Sequence, residues 1–130
     1  MNIKFFSLII LFLMFSLVSA ANLDVKVLEK KDIIITEFDK SNATFTLNIT
    51  NLEDVDDEFQ IYSLVSIGMY PKEFFRINGG ETITLEVSAV PFKEILRDKR
   101  GIYAFEYQIK GKRTGFFKDT LAVSIFDLKD

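Results

Sequence analysis

The chain of 130 residues contains no Cys, no His and no Trp, and only two Pro. Without His or Cys, no Ser-His or Cys-His nucleophile can be assembled, and the common histidine-based zinc sites are excluded for the same reason. Without Cys there are no disulfides, so the fold must rest on its apolar core. A chain of about 100 residues can do this, burying roughly 60 to 70% of the surface it exposes when unfolded. Positive charge is also scarce: sixteen Lys and Arg stand against nineteen Asp and Glu, a net charge of −3. That balance argues against nucleic acid as a partner, because such binding rests on neutralising phosphates. The 48% hydrophobic and 14% aromatic content suits one domain and leaves no room for a second.

The apolar residues begin with a concentrated run. After Lys4, residues 5–18 are apolar except for Ser7 and Ser16, and Val18-Ser19-Ala20 offers a small-x-small cleavage site. A charged start, an apolar stretch of about 7 to 15 residues and such an ending are the parts of a secretory signal peptide. A spanning helix would need about 20 apolar residues. The expected organisation is therefore a signal peptide over 1–20 and one domain over 21–130, secreted or displayed at the cell surface. Membrane contact is expected only if the first segment is retained. Its removal takes one Lys and brings the net charge from −3 to −4.

The rest reads as short strands. Leu23, Val25 and Val27 alternate with Asp24 and Lys26, and Ile33-Ile34-Ile35 resumes after Asp32 as an opening strand broken once. Phe45, Leu47 and Ile49 alternate with Thr44, Thr46, Asn48 and Thr50, which gives one core face and one wet face. Residues 58–67 are apolar on both parities, through Phe59, Ile61 and Val65 on one and Tyr62 and Leu64 on the other, as in a central strand covered on both sides. Asn78-Gly79-Gly80 between Ile77 and Thr82 predicts a hairpin turn. Phe92, Ile95 and Leu96 are at helical spacing and predict one or two turns of helix. Tyr103, Phe105, Tyr107 and Ile109 share one strand face, and Leu121, Val123 and Ile125 point inward from the last strand. About seven strands without interspersed helices predict an all-β fold, a single antiparallel sandwich.

The run Thr46-Leu47-Asn48-Ile49-Thr50-Asn51, the turn and strand Gly79-Gly80-Glu81-Thr82-Ile83-Thr84-Leu85, Pro91 and Gly101-Ile102-Tyr103-Ala104-Phe105 resemble the immunoglobulin-like β-sandwich modules of prokaryotic surface proteins. CARDB-type adhesion-related domains and NPCBM-associated Ig-like domains are the nearest types. The resemblance implies an accessory or adhesive module without a catalytic site of its own.

Among the remaining residues, Glu53-Asp54-Val55-Asp56-Asp57-Glu58 gathers oxygen ligands in one loop. Glu53, Asp54, Asp56 and Asp57 are candidate calcium ligands, although the loop lacks the glycine and spacing of an EF-hand, and solvated turn acids are the plainer reading. Lys110-Gly111-Lys112-Arg113-Thr114-Gly115 competes for these acids, because in an immunoglobulin-like topology the two loops share one end. The rim so formed is the expected polar recognition surface. Lys93, Arg97, Lys99 and Arg100 form a second basic set towards the other end, read as a solvated helix face or a contact for an anionic polymer. Phe74-Phe75 and Phe116-Phe117 each send neighbours to opposite sides of a strand, which makes Phe74 and Phe116 candidate contacts beside Lys110, Lys112 and Arg113. Asn42-Ala43-Thr44 and Asn48-Ile49-Thr50 are candidate glycosylation sites at Asn42 and Asn48.

A pair of carboxylates could still support glycoside hydrolysis, but nothing in the pattern suggests a cleft, and an enzyme is not expected. Neither is a cofactor. The expected function is adhesion, protein–protein interaction or structural support with a surface protein or cell-surface glycan as partner. The alternative is a glycan-binding accessory of a carbohydrate-active enzyme.

Overall fold

A computed structural model describes residues 22–35, 42–98 and 100–127, apart from the side chains at 97 and 98. The signal segment expected over 1–20 lies outside the described residues. The strands are β1 (Leu23–Lys31), β2 (Ile33–Ile35), β3 (Ala43–Asn51), β4 (Asp57–Ser63), β5 (Ile67–Tyr70), β6 (Phe75–Ile77), β7 (Thr82–Pro91), β8 (Gly101–Gly111) and β9 (Phe116–Phe126), with a short helix α1 (Lys93–Asp98) between β7 and β8. They form a four-stranded sheet ordered β1-β3-β7-β5 and a five-stranded sheet ordered β2-β9-β8-β4-β6. All pairs are antiparallel except β2 with β9, which is parallel.

Period-two alternation builds this sandwich. Phe45, Leu47 and Ile49 of β3 and Val87 and Ala89 of β7 face Phe59 and Ile61 of β4, Phe105, Tyr107 and Ile109 of β8 and Val123 and Ile125 of β9, all of them buried. Each large apolar side chain removed from water contributes about 1.5 to 3 kcal/mol, and the two inner faces interlock to fill the space between the sheets. The strand faces expected for β3, β8 and β9 are the ones observed. Tyr103, further up β8, packs half-buried against the same core.

Three of the segments that change sheets bear on the sequence reading, and two of them correct it. The opening strand breaks at Asp32, where the chain leaves the edge of the four-stranded sheet and joins β9 in the other, Ser124 N donating to Asp32 O at 2.7 Å. Residues 58–67 are not one covered central strand: β4 ends at Ser63, the chain bends through 64–66, and β5 enters the opposite sheet. The second apolar parity therefore reaches solvent, with Leu64 at 68% exposure. The turn at 78–80 is real, with Glu81 N donating to Asn78 O and Gly80 at φ 75°. It does not make a hairpin, because β6 pairs with β4 in one sheet while β7 pairs with β3 in the other. Positive φ is cheap only for glycine, so Gly80 allows the tight reversal that carries the chain across the sandwich.

Candidate functional site

The three connections at the lower end, residues 52–56, 78–81 and 112–115, are tied together by two buried polar residues. Asn51 continues the inward parity of β3 and is fully buried. Its Nδ2 donates to Val55 O at 2.9 Å and to Ile77 O at 3.1 Å, and its Oδ1 accepts from Glu53 N at 3.0 Å. Its backbone takes part too, Gly80 N donating to Asn51 O at 2.8 Å. Asp57 has the inward parity of Phe59 and Ile61 and is 4% exposed. Its carboxylate accepts from Glu58 N, Arg113 N, Thr114 N and Thr114 Oγ1 at 2.7 to 3.1 Å. Burial would raise its pKa, but the bonds from Thr114, Arg113 and Glu58 outweigh that and hold it below the usual aspartate value.

Asp57 thus fixes the β8–β9 connection from beneath. Gly111 makes the approach possible: a Cβ there would lie 2.3 Å from Asp57 Oδ2 and 2.5 Å from Thr114 Oγ1. Above this lock the two loops meet as the sequence suggested. Lys112 Nζ bonds Glu58 Oε2 at 2.8 Å, and Arg76 bonds Asp56 Oδ2 at 3.0 Å. Asp56 also accepts from Gly79 N, which together with Arg76 lowers its pKa, and the bond from Lys112 with its charge lowers that of Glu58. Between the loops lies an open cleft of about 590 Å³ lined by residues 54–58, Arg76, Lys112 and Arg113.

The candidate calcium ligands are directed to different protein donors: Glu53 accepts from the Asn22 side chain, Asp56 from Arg76 and Gly79, and Asp57 from the β8–β9 loop. Asp54 is exposed at the cleft. Among the described residues no three acidic or metal-binding side chains converge.

The candidate contact residues do come together. Phe75 stacks on Phe59 with ring centroids 6.2 Å apart, and Phe117 packs at 6.2 Å on Tyr107, so the first member of each pair is left outside. Phe74 is 46% and Phe116 50% exposed. Gln60 is paired with Lys110 and Lys110 with Phe116, while Phe74 precedes β6 at the Gln60 side, since Phe59 pairs with Phe75. Lys112 Nζ lies 4.3 Å from the Phe74 ring centroid. Phe74, Gln60, Lys110 and Phe116 form one row across the sheet, about 14 Å long from three inter-strand steps of about 4.8 Å. Lys110 and Arg113 are exposed and make no salt bridge among the described residues.

Other sequence candidates lie elsewhere. Asn48 is half-buried on the outer face of the four-stranded sheet, between Lys26 and Thr84 in register, and Asn42 immediately precedes β3. Lys93 and Arg100 are exposed near α1 at the upper end; the side chains of Arg97 and Lys99 are outside the described set. Sequence reasoning missed Asn51 and the structural role of Asp57. The signal was present in both cases: a polar residue on the inward parity of an otherwise apolar strand.

No protein-family model matches the chain, and no curated protein matches it. Its fold does match solved structures. The FixG-related protein from Vibrio parahaemolyticus is similar with a TM-score of 0.61 and 14% identity, over 80% of this chain and 96% of that one. The seventh PapD-like domain of human CEP192 gives a TM-score of 0.52 and 10% identity, over 84% and 88%. The E. coli chaperone DraB gives 0.52 and 13%, over 82% of this chain and 56% of its own length. The fold is an immunoglobulin-like β-sandwich of the PapD-like kind. The resemblance read from the sequence holds at the level of that fold, and the matched structures do not single out CARDB-type or NPCBM-associated domains.

Proposed function

We propose that the chain is a non-catalytic interaction module that works outside the cytoplasm and recognises a surface protein or cell-surface glycan with the lower end and adjoining face of its five-stranded sheet. The observation that carries this reading is the Asp57 lock, which holds the β8–β9 loop so that Lys112, Lys110, Phe74 and Phe116 are displayed on a rigid sheet. Rigid display favours binding because little side-chain and loop freedom remains to be lost on association. One further feature supports it: the segment at 1–20 has the parts of an export signal.

The test is in-cell cross-linking of the tagged full-length chain with mass spectrometry of its partner and its own N-terminus. The expected result is a defined surface partner on a chain beginning at residue 21, captured by wild type and lost in Lys110→Ala/Phe116→Ala. Capture unaffected by that double variant overturns the assignment of the surface, and a chain that keeps Met1 and yields only membrane neighbours overturns the diffusible module.

A further inference from the structure

The upper half of the five-stranded sheet carries a second surface, separate from the row around Lys110. On its outer face Ile33 of β2 lies beside Ser124 of β9, and Ser124 beside Ile102 of β8, with Ile35 beside Phe126 above them and Ala122 beside Ala104 below. Ile33, Ile102 and Phe126 are 61%, 80% and 51% exposed, so three large apolar side chains meet solvent on one face. All seven residues are uncharged in a chain that is 27% charged. The surface has relief: Ile33 and Ile102 stand two inter-strand steps apart, about 10 Å, and the small residues Ser124, Ala122 and Ala104 leave a shallow floor between and below them. The charges at its border are paired within the chain, Lys30 with Asp32 at 3.6 Å, Arg100 with Asp127 at 3.4 Å and Lys118 with Glu106 at 3.7 Å. Lys31 projects from the other sheet beside Thr44, and Lys93 and Glu94 of α1 add one charge of each sign.

We propose that this patch is the contact surface of a homodimer, in which a second copy of the chain packs upper half to upper half with the five-stranded sheets face to face. Packed sheets interlock ridges with hollows, and here one surface carries both. Under a two-fold axis Ile102 of each copy enters the floor at Ser124 and Ala122 of the other, which is the isologous contact that such symmetry requires. The paired border favours a second copy in particular. A two-fold axis brings like parts together, so a border of one net sign would repel itself, whereas ion pairs closed within each copy leave no lone charge to desolvate at the rim. A membrane surface calls for the opposite, an apolar patch flanked by free cations that meet anionic headgroups. The seven residues and their border amount to roughly 500 to 600 Å² per copy, about 1,000 to 1,200 Å² in all, at the low end of specific interfaces, and the dimer is therefore reversible. Because the patch ends above Glu106, two copies with antiparallel strands overlap only at their upper halves and leave both lower rows uncovered.

The test is sedimentation equilibrium from about 1 µM to 1 mM, on protein purified after expression of the full chain. The expected result is a concentration-dependent monomer–dimer equilibrium that Lys110→Ala/Phe116→Ala leaves unchanged. Ile102→Asp should raise the dissociation constant by about tenfold or more, because its charge would have to be desolvated at the centre of the contact. Ile102 is 80% exposed, so the melting temperature of that variant, measured on dilute protein, should stay close to wild type. Ser124→Lys, which fills and charges the floor, should weaken the dimer in the same way and serves as the second variant. A wild-type chain that stays monomeric across the range overturns the proposal, and so does a dimer that neither variant weakens. Co-sedimentation of a monomeric wild type with phosphatidylcholine–phosphatidylglycerol vesicles, lost in Ile102→Asp, overturns it in favour of a lipid surface.

Discussion

The two sheets turn different faces to solvent. On the two inner strands of the four-stranded sheet Thr44, Thr46, Asn48 and Thr50 of β3 lie beside Ser88, Glu86, Thr84 and Thr82 of β7, side chains that are short apart from Glu86, with Thr50 and Thr82 bonded across 2.7 Å. On the five-stranded sheet the same alternation puts out lysines, phenylalanines and, towards the upper end, Ile33 and Ile102 at 61% and 80% exposure. Both patterns are compatible with a pleated surface. The first carries its long cations Lys26 and Lys31 and the ring of Tyr70 on its edge strands β1 and β5, whereas the second projects Lys110, Phe116 and Lys118 from the inner strands β8 and β9. The supports differ as well: the lower end of the five-stranded sheet is locked by a buried carboxylate, and the outer face of the other sheet has no such anchor among the described residues.

The sharpest way to break this contrast is Asp57→Ala. It leaves the backbone donors of Arg113 and Thr114 without their acceptor, and an expected loss of about 3 kcal/mol should appear as a lower melting temperature together with loss of partner binding. Acid should imitate the variant. Because the folded-state pKa of Asp57 is depressed, its contribution is present above the unfolded value and is lost as pH falls through the folded one, below the usual 3.8. Stability against pH in that range should be flatter in Asp57→Asn than in wild type.

Gly111→Ala tests the same lock from the other side, since the added methyl would meet the carboxylate at 2.3 Å; a loss of about 2 kcal/mol by chemical denaturation is expected. Lys110→Thr with Phe116→Thr makes one row of the five-stranded sheet resemble the opposite face. Stability should shift by less than about 1 kcal/mol, while partner binding disappears in a pull-down. The smallest effect is expected of Thr46→Lys, which sets a cation between Glu29 and Glu86. Its stability should change by about 0.5 kcal/mol or less, and the four-stranded face should gain no affinity for partner.

Much of this was legible from residue order. The inward faces of β3, β8 and β9 follow from parity alone, and the meeting of residues 53–58 with 110–115 follows from the topology that parity suggested. What stayed hidden was the sheet to which each strand belongs. Asn78-Gly79-Gly80 carries the chemistry of a reversal, but whether it joins neighbours or crosses the sandwich depends on Asn51 and on pairings with strands distant in sequence. The run at 58–67 misled for a related reason: apolar residues on both parities mark a doubly covered strand, and they also mark a strand that changes sheets part-way. Asp57 was readable as a loop acid by composition and as a buried acid by parity, and parity was the better guide.

The parallel pairing of β2 with β9 has a mechanical consequence. β1 enters at the lower end and β9 leaves at the upper, so a pull between residues 22 and 127 runs along the strands. It loads the Ile33↔Ser124, Ile34↔Ile125 and Ile35↔Phe126 pairs and the long β1–β3 ladder in shear, where hydrogen bonds share the force and break together instead of unzipping one by one. A domain wired in this way is suited to bear tension along its strands.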